Sequence, residues 1–151
     1  MFRSHDVVLI RPFVPNDLPA VASIVRDSLR ENYPSSLYLD IHRWWRDGFL
    51  VAVLDGQPVG FLAAVISTQG QARILMLAVS VAHRSKGIGT YLMQTFLRNA
   101  TARGLNRIEL EVRVSNKDAI RFYERYGFRI LHVLPAFYTD GEDGYKMMRA
   151  Q

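Results

Sequence analysis

The stretch "RIELEVRV" (107–114) alternates strictly, with Ile108, Leu110 and Val112 on one side and Glu109, Glu111 and Arg113 on the other. A period of two sends successive side chains to opposite faces, so this is a half-buried strand. Upstream, "VVLIRPF" (7–13) is β-branched and apolar and is broken by Pro12 and Pro15, which predicts a first strand. Leu18, Val21, Ile24, Val25 and Leu29 then keep helical spacing, with Asn16 or Asp17 placed to cap the helix. Pro34, Ser35 and Ser36 end that region, and a shorter amphipathic helix is expected from about Leu37 to Asp47, carrying Trp44 and Trp45. "FLVAVLDGQPVGFLAAVI" reads as strand, turn, strand, because Asp55-Gly56 supplies hairpin chemistry. "ARILMLAVSV" is almost wholly apolar, the pattern of a strand buried on both faces.

Ile88, Leu92, Phe96 and Ala100 define one face of a helix from Ile88 to Arg103, which Gly104 ends. Asn116 can cap the next helix, "KDAIRFYERYG", which stops at Gly127. "FRILHVL" and "GYKMMRA" close the pattern as two strands around the polar loop "PAFYTDGED". The order β-α-α-β-β-β-α-β-α-β-β describes one mixed α/β domain over residues 1–151, without repeats, linkers or low-complexity tracts.

Composition narrows the class. With 151 residues, 49% hydrophobic and 22% charged, the chain can bury a full core without staples. Zero cysteines exclude disulfides, thiolate metal sites and a cysteine nucleophile, and fit a reducing compartment. "MFRSHDVVLIRPF" has no long apolar core behind a basic start, and no stretch reaches the roughly 18 apolar residues of a membrane span. A soluble, cytoplasmic protein with no membrane association is the expectation. The net charge of +5 fits either a solubilising surface or an acidic partner such as a phosphorylated cofactor, ribosomal RNA or an acidic protein. No Lys/Arg run exceeds two residues, which counts against a dedicated nucleic-acid binder.

The stretch "HRSKGIGTYL" (83–92) precedes the third helix and has the composition of an anion site. It lacks the G-x-x-x-x-G-K-[ST] spacing of a Walker loop. It also fails the G-x-G-x-x-G fingerprint, because the position three after Gly89 is Leu92. Arg84, Gly87 and Gly89 do satisfy R-x-x-G-x-G. A helix N-terminus offers unpaired N–H groups and a positive dipole end, and glycine lets phosphates approach the backbone closely. The competing reading is a glycine-rich turn that merely reverses the chain.

Together, "LAVSVAHRSKGIGTYLM" and "LEVRVSNKDAIRFYERYGF" resemble the GCN5-related N-acetyltransferase (GNAT) family, the first in its acetyl-CoA-binding segment and the second in its late strand-helix segment. "LRENYPSSLYL", "LEVRVSN" and "FYTDGEDGYKMM" are similar to the archaeal and bacterial protein N-terminal acetyltransferases, including those that modify a ribosomal-protein alanine. Val81 stands where many relatives have proline and His83 where an aromatic is common, departures that bear on the entry angle of the loop. The resemblance implies an α/β (α+β mixed) GNAT fold, with a mostly antiparallel twisted sheet of about seven strands and about four helices. It also implies acetyl-CoA as acetyl donor, held by Leu77, Ala78 and Val79 through their backbone, by Arg84, Ser85, Lys86, Gly87, Ile88, Gly89 and Thr90 around the pyrophosphate, and by Asn116 and Tyr123.

Amide formation from a thioester needs a neutral amine, a stabilised oxyanion and a protonated leaving thiolate. An N-terminal amine of pKa near 7.7–8.0 is roughly a tenth neutral at pH 7, whereas a lysine near 10.4 needs about 4–5 kcal/mol for deprotonation there. A modest base therefore suffices for an N-terminus. The resemblance puts Glu111 in that role; the alternative is a solvated glutamate paired with Arg113 or Arg84, and Glu109 is the weaker candidate. Tyr123 matches the tyrosine aimed at the CoA sulfur, with packing of the helix as its competing role. Glu31, Tyr33 and Tyr138 are implied at the acceptor slot, where Phe137 replaces a usual tyrosine. These features favour protein N-termini, nascent chains or a ribosomal protein among them, over a small amine or lysine. A non-catalytic CoA-binding or ribosome-associated module is the rival of another class. Histidines 5, 42, 83 and 132 show no ligand spacing, so no metal is expected, and no G-x-S-x-G appears, which favours direct transfer.

Overall fold

Strands that are apolar at every second position bury one face, as Arg107–Arg113 does within a single seven-stranded sheet. A computed structural model describes residues 7–151; His5 and the first residues of the N-terminal stretch lie outside them. In chain order the strands are β1 (Val8–Pro12), β2 (Phe49–Leu54), β3 (Gln57–Thr68), β4 (Gln71–Val79), β5 (Arg107–Arg113), β6 (Arg129–Leu134) and β7 (Gly144–Ala150). The helices are α1 (Leu18–Ile24), α2 (Ser35–Trp44), α3 (Ile88–Ala102) and α4 (Lys117–Arg125). The sheet order is β1-β2-β3-β4-β5-β7-β6. All neighbours are antiparallel except β4 and β5, which run parallel. Among the described residues, no helix is long and apolar enough to cross a membrane.

Two cores cover the two faces. On one, Ile88, Leu92, Phe96 and Ala100 of α3 pack with Ile108, Leu110 and Val112 of β5, the faces that periodicity predicts. On the other, Val21 and Ile24 of α1 and Tyr38 and Ile41 of α2 pack over Phe49, Val51 and Phe61. Phe13 stacks on Phe49 at 4.1 Å between ring centres and ties the β1 end into this second core.

Three local expectations are corrected. Asp17 sits at the N-terminus of α1 but does not cap it. Its carboxylate instead accepts Arg11 Nη1 and Nη2 at 2.7 and 2.9 Å and the Val14 N–H at 2.9 Å. Burial pushes the Asp17 carboxyl up, but those donors outweigh it and hold it below the ordinary value. The first helix does not run evenly to Leu29, because Val25–Leu29 form a wider π-helical turn that ends at Arg30 in the left-handed region, φ 55°. The second helix stops at Trp44, before a separate 3-10 turn over Arg46–Gly48. Asp55 and Gly56, with φ of 51° and 75°, make the expected tight hairpin. The Asn116 side chain caps α4 by accepting the Ala119 N–H at 3.2 Å.

Strand β4 carries the most informative departure. Its buried residues alternate, but Ala72 and Ile74 belong to the α3 core whereas Met76 and Ala78 belong to the α1–α2 core. The register on β3 shifts between Ala63 and Ala64, leaving one extra residue on β4. That bulge reverses which face the following side chains take. The strand does serve both cores: its fully buried residues face the α3 core before the bulge and the α1–α2 core after it, where Leu77 and Val79 pack back on the first.

Candidate active site

Strands β4 and β5 pair only at Gln71–Arg107, Ala72–Ile108 and Arg73–Glu109. Beyond the bulge, β4 pairs with β3 alone, so the parallel strands diverge and leave a cleft. Ala78 O lies 3.2 Å from the position a Cβ on Gly60 would take, so that carbonyl points to β3. Val79 O points the other way and accepts Ser28 Oγ at 3.2 Å and Arg84 Nε at 3.3 Å. Alternation then puts the N–H and C=O of Leu77 on the open side with those of Val79. Of the three residues implied for backbone contact, Leu77 and Val79 face the cleft; Ala78 faces the neighbouring strand.

After β4, Val81–His83 make a 3-10 turn closed by the His83 N–H to Ser80 O at 2.9 Å and by Ser80 Oγ with His83 Nδ1 at 3.0 Å. His83 thus staples the loop that leads to the glycines. Ser85 and Gly87 take φ of 63° and 80°, two left-handed turns that deliver the chain into α3. Ile88 is buried against Gly60, where an added Cβ would stand 3.2 Å from Ile88 Cγ2. A Cβ on Gly87 would meet nothing within 4 Å, and one on Gly89 would touch only the Phe122 ring at an ordinary 3.5 Å. Packing within the protein therefore does not require either residue to be small. The space above them, the first-turn N–H groups of α3 and the nearby Arg84 and Lys86 fit an anionic group lying on the helix start.

The opposite wall is made of side chains. Glu111 is not solvated and does not pair with Arg113 or Arg84; its side chain is 8% exposed. Oε1 accepts Arg73 Nε at 2.9 Å and Nη2 at 2.6 Å, and Oε2 accepts Lys146 Nζ at 2.5 Å. Glu109 is held by Arg107 Nε at 2.6 Å and lies 3.4 Å from Lys146. Tyr123 is half-buried, edge-on to Phe128 at 5.7 Å, and burial with the nearby Tyr138 pushes its phenol well above 10. Tyr138 lies under the Arg113 guanidinium, 4.1 Å from the ring centre. Gly144 leaves it room, since a Cβ there would come within 3.2 Å of the ring. Burial raises the Tyr138 phenol; Arg113 draws it down, while Glu111, Glu142 and Tyr33 push it up. Burial and Glu31 raise Tyr33. Tyr138 thus lies near enough to feel Glu111, Tyr33 and Arg113, and Tyr123 near enough to feel Tyr138.

The model of the Acetyltransferase (GNAT) family matches residues 18–128. The chain belongs to the GNAT acetyltransferase family. It is 41% identical over 144 residues to an uncharacterized N-acetyltransferase of Methanocaldococcus jannaschii, covering 94% of this chain and 91% of that one. An N-alpha-acetyltransferase of Saccharolobus solfataricus is 32% identical over 146 residues, covering 89% and 87%. The crystal structure of Ard1 from Thermoplasma volcanium superposes with a TM-score of 0.91 at 40% identity, covering 95% and 97%. The seven-stranded sheet and four helices are those expected of a GNAT N-acetyltransferase, and the chain is an enzyme that draws its acetyl group from acetyl-CoA.

Two residues of this GNAT cleft escaped the sequence reading, and a third was given the wrong partner. Arg73 carried a signal, being the one charge in an otherwise apolar strand. Lys146 carried none, because its position opposite Glu111 depends on the β5–β7 register. Arg113 was considered only as a partner for Glu111. It pairs instead with Asp140 at 2.9 Å and Glu142 at 2.8 Å, pinning the loop that carries Tyr138. Phe137 is exposed and edge-on to Tyr138, so it supplies no hydroxyl in place of the expected tyrosine.

Proposed function

We propose that the chain is a protein N-terminal α-amine acetyltransferase, one domain over residues 1–151. Its acceptors are exposed N-termini of cytoplasmic proteins, nascent chains and a ribosomal protein among them. The observation that carries this reading is the largely buried Glu111 carboxylate, held by Arg73 and Lys146 where β4 and β5 stop pairing, with Tyr138 fixed under Arg113 nearby. Its relatives in Saccharolobus solfataricus and other archaea bear the name N-alpha-acetyltransferase.

Acetyl-CoA supplies an activated thioester. Leu77 and Val79 offer backbone groups along the cleft, and the start of α3 with Arg84 and Lys86 holds the pyrophosphate. Ser85, Ile88, Gly89 and Thr90 belong to that helix start, and Asn116, at the N-terminus of α4, is the remaining cofactor contact in this reading. Glu111 keeps lone-pair capacity beyond its two cations and accepts the amine proton through a water. That is enough for an α-amine, which is partly neutral at pH 7. The amine nitrogen bonds to the acetyl carbon as the C–S bond breaks. Tyr123 keeps its proton and donates a hydrogen bond to the departing sulfur, and the thiolate takes its proton from water. Tyr33 and Tyr138 form the rim of a slot for the peptide backbone, with Glu31 beside Tyr33.

Short peptides with free N-termini, N-blocked peptides bearing an internal lysine, and free polyamines or amino acids are each supplied with acetyl-CoA and the products located by mass spectrometry. Acetylation of the α-amine of peptides is the expected result. Turnover of free amines alone, or of lysine alone, overturns the acceptor assignment, and no turnover with intact acetyl-CoA binding overturns the activity.

A further inference from the structure

Arg73 marks a boundary in the sheet. It is the last β4 residue paired with β5, opposite Glu109, and the register slip on β3 follows one residue later, after Ile74. Past that level no backbone pairing joins the two strands. The Arg73 guanidinium crosses it, with Nε 2.9 Å and Nη2 2.6 Å from Glu111 Oε1. On the other flank the β5–β7 register sets Lys146 directly opposite Glu111. Its Nζ lies 2.5 Å from Oε2 and bridges on to Glu109 at 3.4 Å. One oxygen is tied to the strand that carries the donor cleft and the other to β7.

The Arg73 side chain is 42% exposed and that of Lys146 21%, whereas Glu111 is 8% exposed. Loss of either cation leaves a largely buried carboxylate short of a partner, a cost in stability that melts record separately from kcat. The pairs also determine direction, since a glutamate on its own samples several rotamers. The other nearby charges are committed elsewhere: Arg107 to Glu109, and Arg113 to Asp140 and Glu142.

We infer that Arg73 and Lys146 are positioning residues that aim the Glu111 carboxylate at the acceptor amine, Arg73 also coupling it to the donor strand. The inference rests on the reading of Glu111 as the base, and a mutant cycle separates the two. Arg73→Gln, Lys146→Met, Arg73→Lys and Lys146→Arg are made in the full chain, each alone and with Glu111→Gln. Peptide kcat and KM are measured beside acetyl-CoA binding by calorimetry and thermal melts. Misaimed catalytic groups lose up to about 100-fold, so Arg73→Gln and Lys146→Met are expected to lower kcat about 10–50-fold. Acetyl-CoA affinity and peptide KM should move less than about threefold, because the cations reach substrate only through Glu111.

The conservative variants should recover most of the loss, and in the Glu111→Gln background neither change should cost more than about twofold further. Wild-type kcat in both variants while Glu111→Gln is impaired overturns the clamp and leaves the base reading standing. Full activity of Glu111→Gln overturns the base reading itself. Losses that multiply in the Glu111→Gln background, or that fall on acetyl-CoA affinity, overturn positioning. If Arg73→Gln does not fold, the Lys146 pair decides by the same criteria.

Discussion

One wall of the cleft, formed by β4, the 80–87 loop and α3, presents mainly backbone: the open edge of β4, two left-handed turns and a helix start. The facing wall, formed by β5, β7 and the 135–143 loop, presents side chains held in place by charge: Arg73 and Lys146 on Glu111, Arg113 on Tyr138. Backbone groups cannot be substituted away one at a time, and they suit a ligand that is the same in every turnover. Side chains give a base of particular strength and a slot of particular shape, which are properties of the acceptor. The difference predicts that changes in the two walls will be read out in different kinetic constants.

The largest effect should come from the acceptor wall. Glu111→Gln is expected to lower kcat by about 10²–10³-fold with acetyl-CoA affinity unchanged in calorimetry. A loss carried instead by acetyl-CoA binding would break the division between the walls. Tyr123→Phe should cost kcat about 100-fold, the low end of the range for one lost charge-stabilising donor. Burial and Tyr138 hold that phenol above 10, so it remains protonated across the working range. The wild-type pH–rate profile should therefore show no fall from Tyr123 at or below pH 10, and a tyrosine-dependent fall near pH 8–9 that vanishes in Tyr123→Phe would contradict the assignment.

Smaller effects sharpen the contrast. Gly87→Ala forces an L-residue to φ 80° and is expected to cost about 1 kcal/mol in a melt and to weaken acetyl-CoA binding about tenfold, with peptide KM unmoved. Gly144→Ala pushes a methyl to 3.2 Å from the Tyr138 ring. Overpacking there should cost about 1 kcal/mol and raise peptide KM a few-fold, with acetyl-CoA affinity unmoved. Equal effects of the two glycine changes on both substrates would remove the distinction.

The donor wall was readable because it is local. Arg84, Gly87 and Gly89 lie within a few residues of one another, and the turn they make needs no partner from elsewhere in the chain. The same holds for the Asn116 cap and the Asp55-Gly56 hairpin. The acceptor wall was readable only as far as family resemblance reached. Glu111, Tyr123, Tyr138 and Tyr33 come from four segments, and neither alternation nor helical spacing shows that they meet. The partner Arg113 failed for that reason: Asp140 and Glu142 of a distant loop take it, while Glu111 is held from the strands either side.

Period-two and period-3.6 patterns, turn residues and glycines are short-range properties, and through them the sequence alone determined the order of elements, the α3 and β5 core faces and the glycine-marked start of α3. Tertiary structure decided where β4 parts from β5, how its bulge divides one apolar strand between two cores, and which charges surround Glu111. Those outcomes depend on the register between strands far apart in the chain. A shift of one residue there turns every side chain to the other face.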